Sequence, residues 1–121
     1  MKLAALSVAA ILAGTVAAQS LDFEVYRKSV EPIFLKKRPG HARCVACHSA
    51  NNSALHLQPL KDGQTAYTLE QSKQNFESVS QLVEPGKPLS SPLLLHPLSP
   101  EGGGDKFHGG GRQFVNSATA M

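Results

Sequence analysis

The residues with the clearest chemistry form the run Cys44-Val45-Ala46-Cys47-His48. Two thiols three residues apart lie on the same side of a helical turn, where they can form thioethers with the two vinyl groups on one edge of a haem. The histidine that follows directly is held under the iron as an axial ligand. This C-x-x-C-H spacing is the attachment signature of a c-type haem. The sequence therefore predicts one covalent haem c, bound by Cys44 and Cys47, with His48 as the proximal iron ligand.

Three other interpretations of this run stay open. A thioredoxin-like dithiol is expected within a βαβ unit, and no strand pattern precedes Cys44. A structural zinc site needs a second ligand pair at similar spacing, and the downstream histidines do not supply one. A disulfide between Cys44 and Cys47, the only two cysteines of the chain, requires an oxidising compartment. Covalent haem remains the favoured interpretation.

The N-terminus has the pattern of a secretory signal peptide. Lys2 is the only charge in residues 1–18, residues 3–13 are apolar, and Val16-Ala17-Ala18 supplies the small residues for cleavage before Gln19. The alternative is an uncleaved membrane anchor, which needs about 20 apolar residues. We expect cleavage, no stable membrane span afterwards, and a periplasmic or secreted protein. Export agrees with the haem prediction, because bacteria attach haem c outside the cytoplasm.

The remaining residues, 19–121, are enough for one domain. They carry 11 basic and 9 acidic side chains, a net charge of +2, and the chain has no Trp, two Tyr and five Phe. The apolar core is therefore small, and a buried haem would enlarge it. No basic patch is interleaved with aromatic residues, which argues against nucleic acid as a partner. Lys36, Lys37 and Arg38 are expected to form a solvated helix end, with a docking patch as the alternative.

Apolar side chains recur at helical spacing in two parts of the chain. In residues 20–37 the spacing predicts a first helix, interrupted at Pro32, with a buried face made of Phe23, Tyr26, Val30 and Phe34. A capping-box pattern that begins at Thr68 predicts a second helix to about Val83, with a buried face made of Leu69, Phe76, Val79 and Val83. Pro92 marks the start of a further short helix. These elements indicate an all-α domain.

Residues 101–111 are the second unusual stretch, with six glycines around Phe107-His108. They fit a flexible linker. They fit a phosphate loop less well, because no strand leads in and no Gly-Lys-Ser/Thr follows. They also fit a loop that brings His108 to the distal face of a haem, because glycine lets the backbone pass close to a porphyrin. We favour this last interpretation.

With these residues in hand, the chain resembles the small monohaem cytochrome c-like domains of class I type, and most closely the planctomycete-type cytochrome c modules of cell envelopes. The resemblance covers about residues 23–114. It rests on Val30-Glu31-Pro32-Ile33, on the specific C-x-x-C-H run, and on Pro85-Gly86-Lys87-Pro88 followed by Ser91 to Leu93. It implies a fold of three to four short helices wrapped around one covalent haem, with residues 102–121 as a glycine-rich loop and short tail.

The sixth iron ligand departs from that family. The family uses a Met after the Ser-x-Leu turn, commonly in Met-Pro-Pro, whereas the only methionines here are Met1 and Met121. His108 stands where that Met would be, so the resemblance implies bis-histidine ligation with His108 as the distal ligand. His96 is the second choice. The remaining alternatives are a neighbouring chain, an open site, or one of His41, His56 and Met121.

The C-terminus also departs from the family, which closes with a helix that crosses the first one. Only residues 115–121 follow Phe114, and they have little apolar content. We expect this helix to be short or absent. The first helix is then left partly uncovered and offers a surface for self-association.

The resemblance implies a one-electron carrier rather than an enzyme, with redox proteins of the cell envelope as partners. A haem with both axial positions filled has no open site for a substrate. One alternative is a haem enzyme or gas sensor, such as a peroxidase-like protein, which needs an open or labile sixth position. The other alternative is a docking module that retains haem for stability.

Overall fold

The computed structural model describes residues 20–50, 52–105 and 107–117. The predicted signal peptide and Met121 lie outside these residues. Within them, no helix has the length and apolar character needed to cross a membrane.

The described chain is helical, and the all-α prediction is confirmed at this level. Across the three described ranges no β-strand forms. Two isolated bridges occur, one between Arg38 and His41 and one between Leu98 and Phe114. The first closes the turn before the cysteine motif, and the second joins the C-terminal segment to the short helices before it.

The first helix consists of three consecutive segments: α1 (Phe23–Val25), a π-helical turn (Tyr26–Val30) and α2 (Glu31–Leu35). It is shorter than the predicted 20–37. Asp22 caps it, since its carboxylate accepts a hydrogen bond of 2.8 Å from the Val25 N–H.

The irregularity expected at Pro32 is this π-helical turn. Pro32 has no N–H to donate to the residue four positions back. Just before it, the N–H of Glu31 donates to the carbonyl of Tyr26, five positions back. The hydrogen-bonded turn before the proline thus contains one residue more than a turn of α-helix.

A tight turn separates the first helix from α3 (Cys44–His48). Gly40 in this turn has a φ of 74°, in the left-handed region that favours glycine. Within α3, Val45 is buried in the core, Cys44 is half-buried and Cys47 is exposed. α3 thus contacts the core through Val45 and, in part, through Cys44, whereas Cys47 is exposed.

α4 (Leu69–Ser80) begins with the predicted capping box. The Thr68 N–H donates to the Gln71 side-chain oxygen at 3.0 Å, and the Gln71 N–H donates to the Thr68 hydroxyl at 3.2 Å. The prediction that Leu69 is buried is wrong, because it is 51% exposed. Its neighbours in the first turn are exposed as well, so α4 enters the core only from its second turn.

The hydrophobic core lies between the first helix, α3 and α4. Its buried members are Tyr26, Phe34, Val45, Leu57 and Val79. The predicted face of the first helix is confirmed, with Tyr26 and Phe34 buried and with Phe23 and Val30 packed against them. On α4 the buried face is partly polar, because it contains Ser72 and Asn75 beside Val79.

The C-terminal half is built from short turns. A 3₁₀ turn (Pro88–Ser90) precedes α5 (Pro92–Leu95), which starts at proline as predicted, and a second 3₁₀ turn (Pro100–Gly102) follows. The glycines here pack tightly: a Cβ on Gly102 would collide with the Val115 carbonyl, and one on Gly104 with the Leu98 carbonyl. This part of the glycine-rich stretch is thus a packed turn and not a free linker.

Arg38, in the turn after the first helix, binds the C-terminal segment. Its guanidinium donates to the Gln113 backbone carbonyl at 2.5 Å and to the Gln113 side-chain oxygen at 2.6 Å. The same group lies 4.4 Å from the centre of the Phe114 ring. The segment that carries His108 is therefore anchored five residues after it, at Gln113.

Candidate functional site

A cavity of about 990 Å³ lies between the first helix, α3, α4, α5 and the segment that includes Asp105 and His108. This is the upper end of the range for small-molecule and cofactor pockets, about 300–1,000 Å³. Most of its lining side chains are apolar. Cys44, Cys47 and His48 all line it, together with His96 and His108. The cysteine motif and the histidine proposed from the glycine-rich stretch therefore share one cavity.

Both cysteines of α3 are free thiols. Burial raises the pKa of the Cys44 thiol, an effect that the nearby Arg38 guanidinium partly offsets. A protonated thiol is a poor nucleophile and a poor metal ligand. The environment of Cys44 therefore does not resemble that of an activated catalytic cysteine.

The imidazole of His48 is oriented by two groups that follow it in the chain. Its Nδ1 lies 2.8 Å from the Leu55 carbonyl and 2.9 Å from the Ser53 hydroxyl. A carbonyl can only accept, so Nδ1 carries the proton and Nε2 keeps its lone pair. Such a hydrogen bond typically fixes the tautomer of a metal-ligating histidine.

Burial also lowers the pKa of His48. The Leu55 carbonyl opposes this shift, and the nearby rings of His108 and His96 add to it. A lowered pKa keeps the imidazole neutral at pH 7, which is the form that binds metals.

His108 lies across the cavity from His48. The two rings are nearly parallel, at 16°, and their centroids are 6.2 Å apart. Two imidazoles that share one metal ion, with metal–nitrogen bonds of about 2 Å, have centroids about 6 Å apart. His108 also has its Nδ1 2.7 Å from a backbone carbonyl, that of Gly111, which leaves its Nε2 lone pair free. The separation of the two rings therefore matches that of two imidazoles bound to one metal ion.

His96 is the third histidine of the cavity. Its ring meets that of His108 edge to face, at 5.0 Å and 89°. Its Nδ1 lies 3.0 Å from the Asp105 carboxylate, and both side chains are about half exposed. His96 is thus close to the predicted distal position but is held by Asp105.

The other candidate ligands lie elsewhere. His41 lines a separate cavity of about 480 Å³ near Arg112 and Phe114. His56 is exposed, and its N–H donates to the Ser78 hydroxyl at 3.1 Å. Met121 falls outside the described residues. Of the alternatives to His108 in this chain, the described residues bring His96 alone to the cavity.

A structural zinc site has no support in the described ranges, where no group of three or more His, Cys, Asp and Glu side chains is arranged to hold a metal ion by itself. A pair of histidines fits an ion that already has other ligands. The porphyrin nitrogens of a haem would supply those ligands.

Sequence reasoning missed the groups that orient the histidines: Ser53 and Leu55 for His48, Gly111 for His108, and Asp105 for His96. Two of these contacts use backbone carbonyls, which leave no mark in residue type. The role of Asp105 could have been suspected from the sequence, because it is the one acidic residue within the glycine-rich stretch after Glu101.

Comparison of the chain with protein-family models, with curated proteins and with solved structures gives no match. The chain is a small helical domain. Its cofactor-sized, mostly apolar cavity is lined by two thiols and three imidazoles.

Proposed function

We propose that this chain is an exported monohaem c-type cytochrome, with a cytochrome c-like fold closed around one haem c, that carries single electrons. One observation supports the proposal above all: Cys44, Cys47, His48 and His108 line one cavity, with the two histidine rings nearly parallel at 6.2 Å. When bound, the haem supplies a reversible one-electron iron couple. The residues of the chain would hold and orient it.

Cys44 and Cys47 would hold the haem covalently, as thioethers to its two vinyl groups. Their spacing on α3 presents both sulfurs to one edge of the ring. Cys47 is exposed and Cys44 half-buried, so both thiols are within reach of a cofactor that enters the cavity.

His48 and His108 would hold the iron through their Nε2 atoms. Each donates its Nδ1 proton to a backbone carbonyl, which leaves the Nε2 lone pair available. Two filled axial positions leave no site for a substrate, which is why a carrier is favoured over an enzyme. An imidazole in place of the thioether sulfur lowers the reduction potential, because Met ligation raises it.

The partners are redox proteins of the cell envelope, and the place of action is the periplasm or the cell exterior. Lys36, Lys37 and Arg43 are exposed on either side of the turn before α3. Charges near the cofactor's attachment edge would orient an acidic partner and speed encounter. Self-association through the first helix is a second mode that the resemblance implies.

A second candidate function is a haem enzyme or gas sensor with a labile sixth position. The observation in its favour is the His96–Asp105 pair at 3.0 Å beside His108. If His108 left the iron, this half-exposed pair would place a hydrogen-bonding imidazole next to a bound diatomic or peroxide.

The absorption spectrum of protein produced with the haem-attachment machinery separates the two functions. The carrier predicts a six-coordinate, low-spin spectrum in both oxidation states that carbon monoxide does not change. A high-spin spectrum, or rapid carbon monoxide binding to the reduced protein, would support the enzyme or sensor instead.

A further inference from the structure

Gln113 lies between the turn after the first helix and the glycines that follow His108. It is 9% exposed, and its backbone N–H donates to the Pro97 carbonyl at 3.0 Å. Its side-chain oxygen accepts a hydrogen bond of 2.6 Å from the Arg38 guanidinium, and its side-chain nitrogen donates one of 2.9 Å to the Gly110 carbonyl. One buried amide thus connects Arg38 to Gly110.

These two partners leave a single orientation for the Gln113 amide. An arginine side chain offers only donors, and a backbone carbonyl only accepts. The amide oxygen must therefore face Arg38, and the amide nitrogen must face Gly110. Arg38 also donates to the Gln113 backbone carbonyl at 2.5 Å, so one guanidinium holds both the backbone and the side chain of Gln113.

Gly110 lies against the imidazole ring of His108. A Cβ on Gly110 would lie 3.2 Å from Cε1 of His108 and 3.9 Å from Nε2 of Gln113. The ring and the Gln113 amide therefore meet at the same glycine. Gly111 closes the turn on its other side, because its N–H donates to the His108 carbonyl at 2.8 Å and its carbonyl lies 2.7 Å from the His108 Nδ1.

The turn that carries His108 needs such contacts because residues 109–111 are all glycine. Glycine has more backbone freedom than any other residue and loses more entropy when it is fixed. Gly111 uses that freedom, with a φ of 78° in the left-handed region. The bond from Gln113 to Gly110 restricts the backbone in the middle of these three glycines, next to the imidazole.

We propose that Gln113 is a positioning residue for His108. Its amide holds Gly110 against the imidazole ring, and Arg38 orients the amide. This inference rests on the proposed function, in which His108 would hold the haem iron through Nε2. In that protein the bond between Gln113 and Gly110 stabilises the state in which His108 stays on the iron, so its loss favours the replacement of His108 by an added ligand.

The test is the affinity of the oxidised, haem-loaded protein for cyanide, which must displace His108 to reach the iron. Gln113→Glu keeps an oxygen for Arg38 and removes the donor to Gly110. We expect the cyanide affinity to rise about fivefold, the factor that corresponds to one lost hydrogen bond. Arg112→Ala is the matched control, because it removes an exposed ion pair one residue away and leaves both bonds of the Gln113 side chain. It should leave the affinity unchanged.

Two glycine variants perturb the same contact without removing a hydrogen bond, and they cover the case in which Gln113→Glu does not fold. Gly110→Ala places a Cβ 3.2 Å from the His108 ring, so the ring must shift and the cyanide affinity should rise. Gly109→Ala places a Cβ where no atom of the described chain lies within 4 Å. It should leave the affinity unchanged.

An unchanged cyanide affinity in Gln113→Glu would overturn the proposal, as would a rise of the same size in Arg112→Ala. If Gln113→Glu does not fold, equal affinities for Gly110→Ala and Gly109→Ala overturn it. The spectrum of the unaltered protein separates this failure from that of the proposed function. A low-spin unaltered protein with unaffected variants contradicts the role of Gln113 alone, whereas a high-spin unaltered protein contradicts both proposals.

Discussion

The rings of His48 and His108 face each other across one cavity at 6.2 Å, and each ring is fixed by a backbone carbonyl at Nδ1. One ring belongs to a helix and the other to a glycine-rich segment. That segment is tied down just beyond His108 by Arg38, which binds Gln113. A cavity with two opposed, pre-oriented imidazoles matches a cofactor that needs one ligand on each face.

The first prediction concerns the distal ligand. His108→Ala in the haem-loaded protein should convert the low-spin spectrum to a high-spin one, because the iron loses one nitrogen. His96→Ala is the matched control and should leave the spectrum low-spin, since His96 is held by Asp105 at 3.0 Å. The opposite pattern, with His108→Ala unchanged and His96→Ala high-spin, would assign the ligand to His96.

The second prediction concerns the core. Phe34 is 6% exposed, so Phe34→Ala should lower the free energy of unfolding by about 3–5 kcal/mol. Leu69→Ala should change it by less than about 0.5 kcal/mol, since Leu69 is 51% exposed and exposed sites contribute little. Denaturant titrations followed by circular dichroism measure both. Equal effects at the two positions would contradict the burial described here.

The third prediction concerns the anchor of the C-terminal segment. Arg38→Ala removes two hydrogen bonds to Gln113 and the contact with the Phe114 ring. A hydrogen bond to a charged group contributes about 1.5–3 kcal/mol, so the free energy of unfolding should fall by at least that amount. Lys37→Ala is the control, because Lys37 is exposed and donates to the His41 carbonyl. Similar losses for both variants would count against a specific anchor.

The fourth prediction is a pH dependence. Tyr26 and Tyr67 are the only tyrosines, and burial raises the pKa of both, that of Tyr67 to about 12. Between pH 10 and 12 the unfolded chain loses tyrosine protons that the folded chain keeps. The folded state then binds more protons, so stability is full below pH 10 and falls as the pH rises through this window.

Tyrosine ring carbon shifts in isotope-labelled protein check this directly. Neither tyrosine should titrate below pH 11 in the folded protein, whereas both should titrate near pH 10 in urea. A folded-state midpoint near pH 10 for either residue would show that its hydroxyl is exposed.

Much of the helical architecture could be predicted from the sequence, because it depends on residues that are close together in the chain. The capping box of Thr68 and Gln71, the start of α5 at Pro92 and the irregularity at Pro32 each follow from residues that are close together in the sequence. The same holds for the apolar spacing of Tyr26 and Phe34. These features need no knowledge of tertiary contacts.

What could not be predicted depends on contacts between distant segments. Leu69 has the spacing of the buried face of α4. The first turn of α4 extends past the hydrophobic core, however, and Leu69 is therefore exposed. Ser72 and Asn75 are polar, yet they are buried, with hydrogen bonds to Glu31 and Gln58. The carbonyls of Leu55 and Gly111 orient the site's histidines, and a carbonyl is present at every position in the chain.

The central claim is that Cys44 and Cys47 hold one haem covalently. Acid–acetone extraction of the full chain, produced with the haem-attachment machinery, tests it most directly. The account predicts that the haem stays with the precipitated protein, and that Cys44→Ser with Cys47→Ser releases it. Recovery of the haem in the organic phase from the unaltered protein would contradict the claim.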